Sequence, residues 1–286
     1  VEAGNGSGWG TAFLGLALTG DTSSQIFTVW HGAGSNGKSV LMNLFRHLAG
    51  DYAVSIRPDT LLEARQGGGD APRPDLLALR GGRAVFASEG EDGARLSVAL
   101  VKSLSGEDAI TARPLYGAPV TFTPQAKIVL VSNHRPRIPR MDDAIRRRLR
   151  LVPFDRVFGP AERDPAMLDK LVAEGPAILA ALASMASVYY AQGRGARALP
   201  ACAEVDTAST AYANSEDLVS RFLADRTEPA LGSVRSSELY GAFRSWAEAE
   251  GEHPFTARAF RNAMSERGHH GHRKNDGVWF DGLSLK

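Results

Sequence analysis

The residues best able to do chemistry lie at Gly32-Ala33-Gly34-Ser35-Asn36-Gly37-Lys38-Ser39, which spell G-x-x-x-x-G-K-S. Glycine tolerates backbone angles that a side chain would forbid, so a loop with three of them can turn successive N–H groups inward as a nest for an anion. Lys38 supplies a cation of the reach needed for the β- and γ-phosphates of a nucleotide, and the Ser39 hydroxyl suits a Mg²⁺ ion. The flanks decide whether the pattern means anything. Ile26-Phe27-Thr28-Val29-Trp30 before it reads as a buried strand, and Val40, Leu41, Leu44, Phe45 and Leu48 after it recur at helical spacing. Strand, glycine-rich turn and helix N-terminus together predict a phosphate-binding loop and a nucleoside triphosphatase using ATP and Mg²⁺.

Further polar residues fall at the ends of apolar runs. Glu89 follows Val85-Phe86-Ala87-Ser88, where an acid can orient the attacking water and help to hold Mg²⁺. A solvated acid at a strand end is the plainer account. Ser88-Glu89 lacks a second adjacent acid, although Glu91 and Asp92 are close. Asn133 ends the run Lys127-Ile128-Val129-Leu130-Val131-Ser132 and can reach a γ-phosphate or its water. Four arginines crowd positions 146–150. They form either a solvated basic face or an arginine finger serving nucleotide on a neighbouring subunit.

Other segments suit nucleic acid. Two β-prone runs flank Tyr116-Gly117 and predict a hairpin with Arg113 and Tyr116 near its tip, one cation and one aromatic face for single-stranded DNA. A simple packing hairpin would look the same. Toward the C-terminus, helices over Leu218–Leu223, Ser236–Glu250 and Thr256–Arg267 precede a ribbon around Val278-Trp279-Phe280. That order suits a winged helix, with Arg258, Arg261, Arg267, Arg273 and Lys274 as phosphate contacts. A helical module for protein contacts is the alternative. His269, His270 and His272 lack a supporting carboxylate or thiol spacing and read as part of a polar wing.

These residues need a scaffold, and the chain is long enough to build one. Its 286 residues, 43% hydrophobic and 23% charged with a net charge of +1, fit a globular protein of one large or two modest domains. The expected class is α/β: short strands at 26–30, 83–89 and 127–133 alternate with helices near 10–20, 38–49, 96–104, 165–192 (broken at Gly175-Pro176) and 201–213. A Gly/Pro-rich loop covers 67–74. No apolar run approaches the roughly 20 residues of a membrane helix. The single cysteine, Cys202, excludes an internal disulfide and reads as a small packed side chain. The start, Val1-Glu2-Ala3-Gly4, lacks Met and a signal layout and reads as a segment of a longer chain or a cloning remnant.

In order and spacing, the loop 32–39, Val85–Glu89, Gly106-Glu107-Asp108 through Tyr116, Val131-Ser132-Asn133 and Arg147-Arg148-Leu149 with Pro153-Phe154 resemble the superfamily 3 helicases, in particular phage- and plasmid-type primase-helicases related to the poxvirus primase-helicase. The resemblance is specific over about 10–160; the tail, with Ser237-Glu238-Leu239-Tyr240 and Trp246, is similar to the winged-helix domain that often follows. It implies an AAA+-like P-loop ATPase core over 1–200, a helical connector over 201–215 and a winged-helix-like domain over 216–286. It implies a homo-oligomeric ring, usually a hexamer, moving 3′-to-5′ on single-stranded DNA at a replication fork, in the cytoplasm of a bacterial host. It assigns Lys38 and Ser39 to the Walker A pair, Glu89 to Walker B, Asn133 to the sensor, Arg147 or Arg148 to the trans-acting finger, and Arg113–Tyr116 to the DNA-facing hairpin. Arg146 replaces an aromatic residue common before the paired arginines. The upstream primase half of fuller members is not within these residues, so priming activity is not assigned to them, and a primase stands among the partners the resemblance allows. An ATP-switched origin-binding or loading module and a small-molecule kinase are the competing readings.

Overall fold

The computed structural model describes residues 6–63, 73–88 and 93–286. Glu89, Glu91, Asp92 and most of the Gly/Pro-rich loop lie outside them. The described residues divide into two units, those lying within 1–139 and 147–210 and those within 140–146 and 211–286.

The first unit is a mixed α/β structure. Its strands are β1 (Phe27–His31), β2 (Ala53–Ile56), β3 (Ala84–Ser88), β4 (Ile110–Ala112), β5 (Val120–Phe122), β6 (Lys127–Ser132) and β7 (Leu149–Pro153). Its helices are α1 (Gly6–Ala17), α2 (Lys38–Ala49), α3 (Pro74–Leu77), α4 (Val98–Ser105), the C-terminal end of α5 (Asp143–Arg148), α6 (Met167–Ala173), α7 (Gly175–Ala191) and most of α8 (Ala203–Ser215). Five strands form one parallel sheet in the order β2-β3-β6-β1-β7. β6 is buried throughout, and β1 and β3 are buried except at their last residues, which explains their unbroken apolar runs. Parallel pairing sends every strand's C-terminal end to the same sheet edge, so His31, Ser88, Ser132 and Pro153 are brought together there.

Helices cover the sheet through a core that includes Trp9, Phe13, Leu16, Trp30, Phe45, Phe86 and Leu182. α1 and α7 approach closely: a Cβ on Gly15 would lie 2.4 Å from the Leu182 carbonyl oxygen. Pro176 stands in the first turn of α7, where its missing N–H costs nothing, so the break before it separates α6 from α7. At the opposite sheet edge Lys127 is buried, and its ammonium donates to the carbonyls of Thr19, Asp21 (3.1 Å) and Gln125 (3.3 Å). Burial pulls its pKa down to about 7.

Three strands were not visible in the sequence pattern. β2 is only four residues long. β7 hides among arginines, although Leu149 and Leu151 are buried around the more open Arg150. β8 (Thr227–Arg235) contains Pro229 and Gly232 and lies at a sheet edge, where neither disrupts a central ladder.

The second unit contains the start of α5, the end of α8, then α9 (Leu218–Arg226), β8, α10 (Ser236–Ala249), α11 (Ala257–Glu266), β9 (Gly271–Lys274) and β10 (Gly277–Leu285). Its antiparallel sheet has the order β8-β10-β9. Phe222, Phe243, Trp246, Phe260 and Phe280 form its core, with the Phe243 and Phe260 rings stacked 4.6 Å apart. Asp217 caps α9 by accepting from Ser220 N at 3.0 Å, and Thr256 caps α11 by accepting from Ala259 N at 3.3 Å.

Candidate functional site

The loop 32–37 joins the C-terminal end of β1 to the N-terminus of α2. Gly32 is fixed by sterics: a Cβ there would lie 2.3 Å from the Phe154 carbonyl oxygen and 2.7 Å from Asn36 Nδ2. Gly37 takes φ +86° at the entry to α2, and Ser35 takes φ +61°. Gly34 differs, because a Cβ there would meet nothing within 4 Å. Asn36 Nδ2 donates to the Phe154 carbonyl at 3.0 Å, and Phe158 N donates to the Ser35 carbonyl at 2.8 Å. Phe154 in turn packs its ring against Trp30. The segment after β7 therefore holds the loop's shape from behind.

Lys38 is 5% exposed, unusual for lysine, and four oxygens surround its ammonium. It donates to the carbonyls of Gly32 (2.6 Å) and Ala33 (3.2 Å), to Asn36 Oδ1 (3.1 Å) and to Asn133 Oδ1 (3.1 Å). Burial lowers its pKa, yet the acceptors satisfy a charged group. Asn133 follows β6 directly, and the register of β1 with β6 (His31 opposite Ser132) sets it beside the loop. Together Gly34–Val40, Met42, Ser88, Val131, Ser132, Asn133 and His134 line a cleft of about 460 Å³. Ser39 is exposed.

Three titratable residues near the loop went unnoticed in the sequence. His31 at the end of β1 has its pKa lowered by burial first, then by the charges of Arg135 and Lys38. Both effects favour the neutral imidazole over the charged one. Arg135 and His134 follow Asn133 in the chain, and their closeness to a strand end was the only available signal.

The cleft lining includes neither Arg147 nor Arg148, and neither Arg113 nor Tyr116. Within α5 the three consecutive arginines part company. Arg146 pairs with Asp217 at 3.1 Å, Arg147 is exposed with its guanidinium 3.4 Å from Gln25 Oε1, and Arg148 is only 8% exposed. β4 and β5 form the expected hairpin, with Ile110 opposite Phe122 and Ala112 opposite Val120. At its tip Tyr116 is 99% exposed and takes φ +63°. In the second unit Arg258 and Arg261 are exposed on α11 and enter no ion pair among the described residues. Arg267, expected as a phosphate contact, is instead held internally by Asp217, Ser220 Oγ and the Ala263 carbonyl. Lys274 Nζ bonds Ser233 Oγ at 2.9 Å and lies over the Trp279 ring. Cys202 is buried, as its reading as a packed side chain requires.

The donor set suits a nucleoside triphosphate with a divalent cation: a glycine loop opening a helix, a lysine with exchangeable acceptors, and an accessible serine hydroxyl. The profile of a family described as of unknown function (DUF5906) matches residues 30–148. A candidate helicase, L207/L206 of Acanthamoeba polyphaga mimivirus, is 37% identical over 141 residues, covering 49% of this chain and 15% of that protein. A candidate helicase, 022R of Frog virus 3, is 29% identical over 253 residues, covering 82% of this chain and 26% of that protein. A candidate primase, C962R of African swine fever virus, is 24% identical over 256 residues, covering 84% of this chain and 27% of that protein. The chain thus spans about a quarter or less of the relatives it matches. The solved apo structure of the NrS-1 C-terminal region shares the fold, with a TM-score of 0.55 at 12% identity over 98% of this chain and 71% of that one.

Proposed function

We propose that this chain, which is related to primase-helicase-type proteins of large DNA viruses, is an ATP-dependent DNA helicase motor acting in replication. The observation that carries the proposal is the Lys38 ammonium held between the glycine-rich loop and Asn133 at the C-terminal edge of a parallel sheet. In this reading the first unit is an AAA+-like P-loop NTPase core and the second is winged-helix-like.

The loop N–H groups and the start of α2 receive the phosphates, and Lys38 exchanges loop carbonyls for phosphate oxygens. Because one of its four partners is Asn133, that exchange also changes what the Asn133 amide can bond. Asn133 is thereby suited to orient the attacking water and to register the nucleotide. Ser39 and Glu89 would hold Mg²⁺, which when bound neutralises charge on the β- and γ-phosphate oxygens. Of the two candidate fingers, exposed Arg147 is the better suited to reach nucleotide on a neighbouring subunit, and buried Arg148 the worse. Arg113 and Tyr116 offer a cation and a projecting ring to single-stranded DNA, and Arg258 and Arg261 offer further phosphate contacts. A ring, usually a hexamer, translocating 3′-to-5′ is the corresponding assembly.

ATP hydrolysis across a protein concentration series, with and without single-stranded DNA, tests the proposal. The wild type should show turnover that rises steeply with concentration and with DNA, and Lys38→Ala and Arg147→Ala should abolish it. Ring assembly with ATP but no DNA-stimulated turnover would favour an ATP-switched loading module. Activity indifferent to DNA, concentration and both arginines would overturn the motor.

A further inference from the structure

α5 crosses from one unit to the other. Residues 140–146 belong to the second unit, while Arg147 and Arg148, the last residues of the same helix, belong to the first. The second unit grips its part of this segment at three points. Asp217, only 3% exposed, accepts from Arg146 at 3.1 Å and from Arg267 at 2.5 Å. Glu266 pairs with Arg140 at 2.9 Å. Arg146 also donates to Asn214 Oδ1 at 2.9 Å. Met141 and Ile145 are buried, and a small cleft of about 150 Å³ lies among these side chains.

Glu266 and Arg267 stand at the C-terminal end of α11, the helix whose exposed early residues are Arg258 and Arg261. Ten helical residues form a stiff rod of about 15 Å. One end carries exposed cations that enter no ion pair among the described residues and suit a nucleic-acid backbone, and the other holds the segment that leads into the finger. A buried carboxylate shared by two guanidiniums fixes geometry well, because releasing either cation leaves charge poorly compensated.

We propose that Asp217 and Arg146 are positioning residues for the trans-acting arginine, through which α11 and the second unit set how well that arginine reaches a neighbour's nucleotide. This rests on the helicase-motor reading given above. Arg146 sits one residue from Arg147, so a change in how Asp217 holds it turns or shifts the finger directly. Displacement by about 1 Å from a productive geometry can cost about a hundredfold in rate.

The test uses the whole chain with Arg146→Ala, Arg146→Lys and Asp217→Asn, measuring melting temperature, affinity for a fluorescent ATP analogue, and ATP turnover with single-stranded DNA. Arg146→Ala is the variant least exposed to misfolding, because its side chain is already partly open to solvent. Arg146→Ala and Asp217→Asn should keep nucleotide affinity within about twofold and lower DNA-stimulated turnover by about tenfold or more. Arg146→Lys, which keeps a cation beside Asp217, should recover much of the loss. Mixing Asp217→Asn subunits with Lys38→Ala subunits should restore turnover, since each supplies what the other lacks. Unchanged turnover in Arg146→Ala, or nucleotide affinity falling in step with rate, would overturn the inference. So would mixed rings that stay inactive. If Arg147→Ala and Arg148→Ala both left turnover intact, the motor reading itself would fail; full dependence on Arg147 with an indifferent Asp217 would remove only this inference.

Discussion

Lys38 Nζ donates to Asn133 Oδ1 at 3.1 Å across a sequence separation of 95 residues. The contact joins the start of α2 to the end of β6 through the pairing of two adjacent parallel strands. It makes the amide an acceptor for the same cation that the proposed chemistry sends to phosphate.

Asn133→Ala should therefore be mild for folding and severe for turnover. Lys38 keeps three other acceptors, so the stability cost should be about 0.5–1.5 kcal/mol by denaturant unfolding. ATP affinity should persist while kcat falls by roughly a hundredfold. An Asn133→Ala protein with normal kcat would remove the sensor role.

The loop glycines should differ in what they tolerate. Gly32→Ala drives a Cβ to 2.3 Å from the Phe154 carbonyl oxygen, so the backbone must shift, at roughly 1–3 kcal/mol. Gly34→Ala has open space and should melt like the wild type. Thermal melting of the two proteins checks both expectations.

Lys127 should give the stability a pH slope. Its folded pKa is about 7, against an ordinary 10.5, because burial opposes the charge. Between those values the unfolded chain binds more protons than the folded one, so this group makes stability rise with pH from about 7 to about 10.5 and penalises folding below 7. The slope approaches about 1.4 kcal/mol per pH unit in mid-window. Denaturant unfolding of the wild type and Lys127→Met across that range should differ in slope, with the variant less stable overall because three carbonyls lose their donor.

Arg147→Ala and Arg148→Ala should separate activity from stability. Removing exposed Arg147 should change stability by no more than about 0.5 kcal/mol, whereas truncating buried Arg148 should cost about 1–3 kcal/mol. Equal melting temperatures for the two variants would contradict that difference in burial.

Tyr116 should show opposite signs for folding and binding. Its φ of +63° is costly for a residue with a Cβ, so Tyr116→Gly should stabilise the fold by up to about 1 kcal/mol. The same change removes a ring exposed to 99% and should weaken single-stranded DNA binding by about 1–3 kcal/mol. Melting and fluorescence anisotropy on one protein read both effects.

The elements that position Lys38 were legible because β1 and β6 are nearly or wholly buried, and burial writes continuous apolar runs. The helices of the second unit were legible from periodicity and from the Thr256 cap. Edge strands were not: Arg150 in β7 and Pro229 in β8 are tolerated only because each strand has a free side. The partnership of Lys38 with Asn133 depends on strand register, which no single motif encodes. Arg267 looked like one more surface cation, and only packing shows it committed to Asp217. Glu89 lies outside the described residues, so its expected place beside Ser88 rests on sequence.

Three neighbouring arginines in α5 meet a carboxylate, open solvent and the interior in turn. Successive residues of a helix are rotated by about 100°, so these fates are fixed by angular phase rather than by composition. A single residue inserted between Asp143 and Arg146 would leave every arginine present and turn each one toward the wrong surroundings. The segment's information is thus carried as a count: its reading frame around the helix axis matters more than how many positive charges it holds.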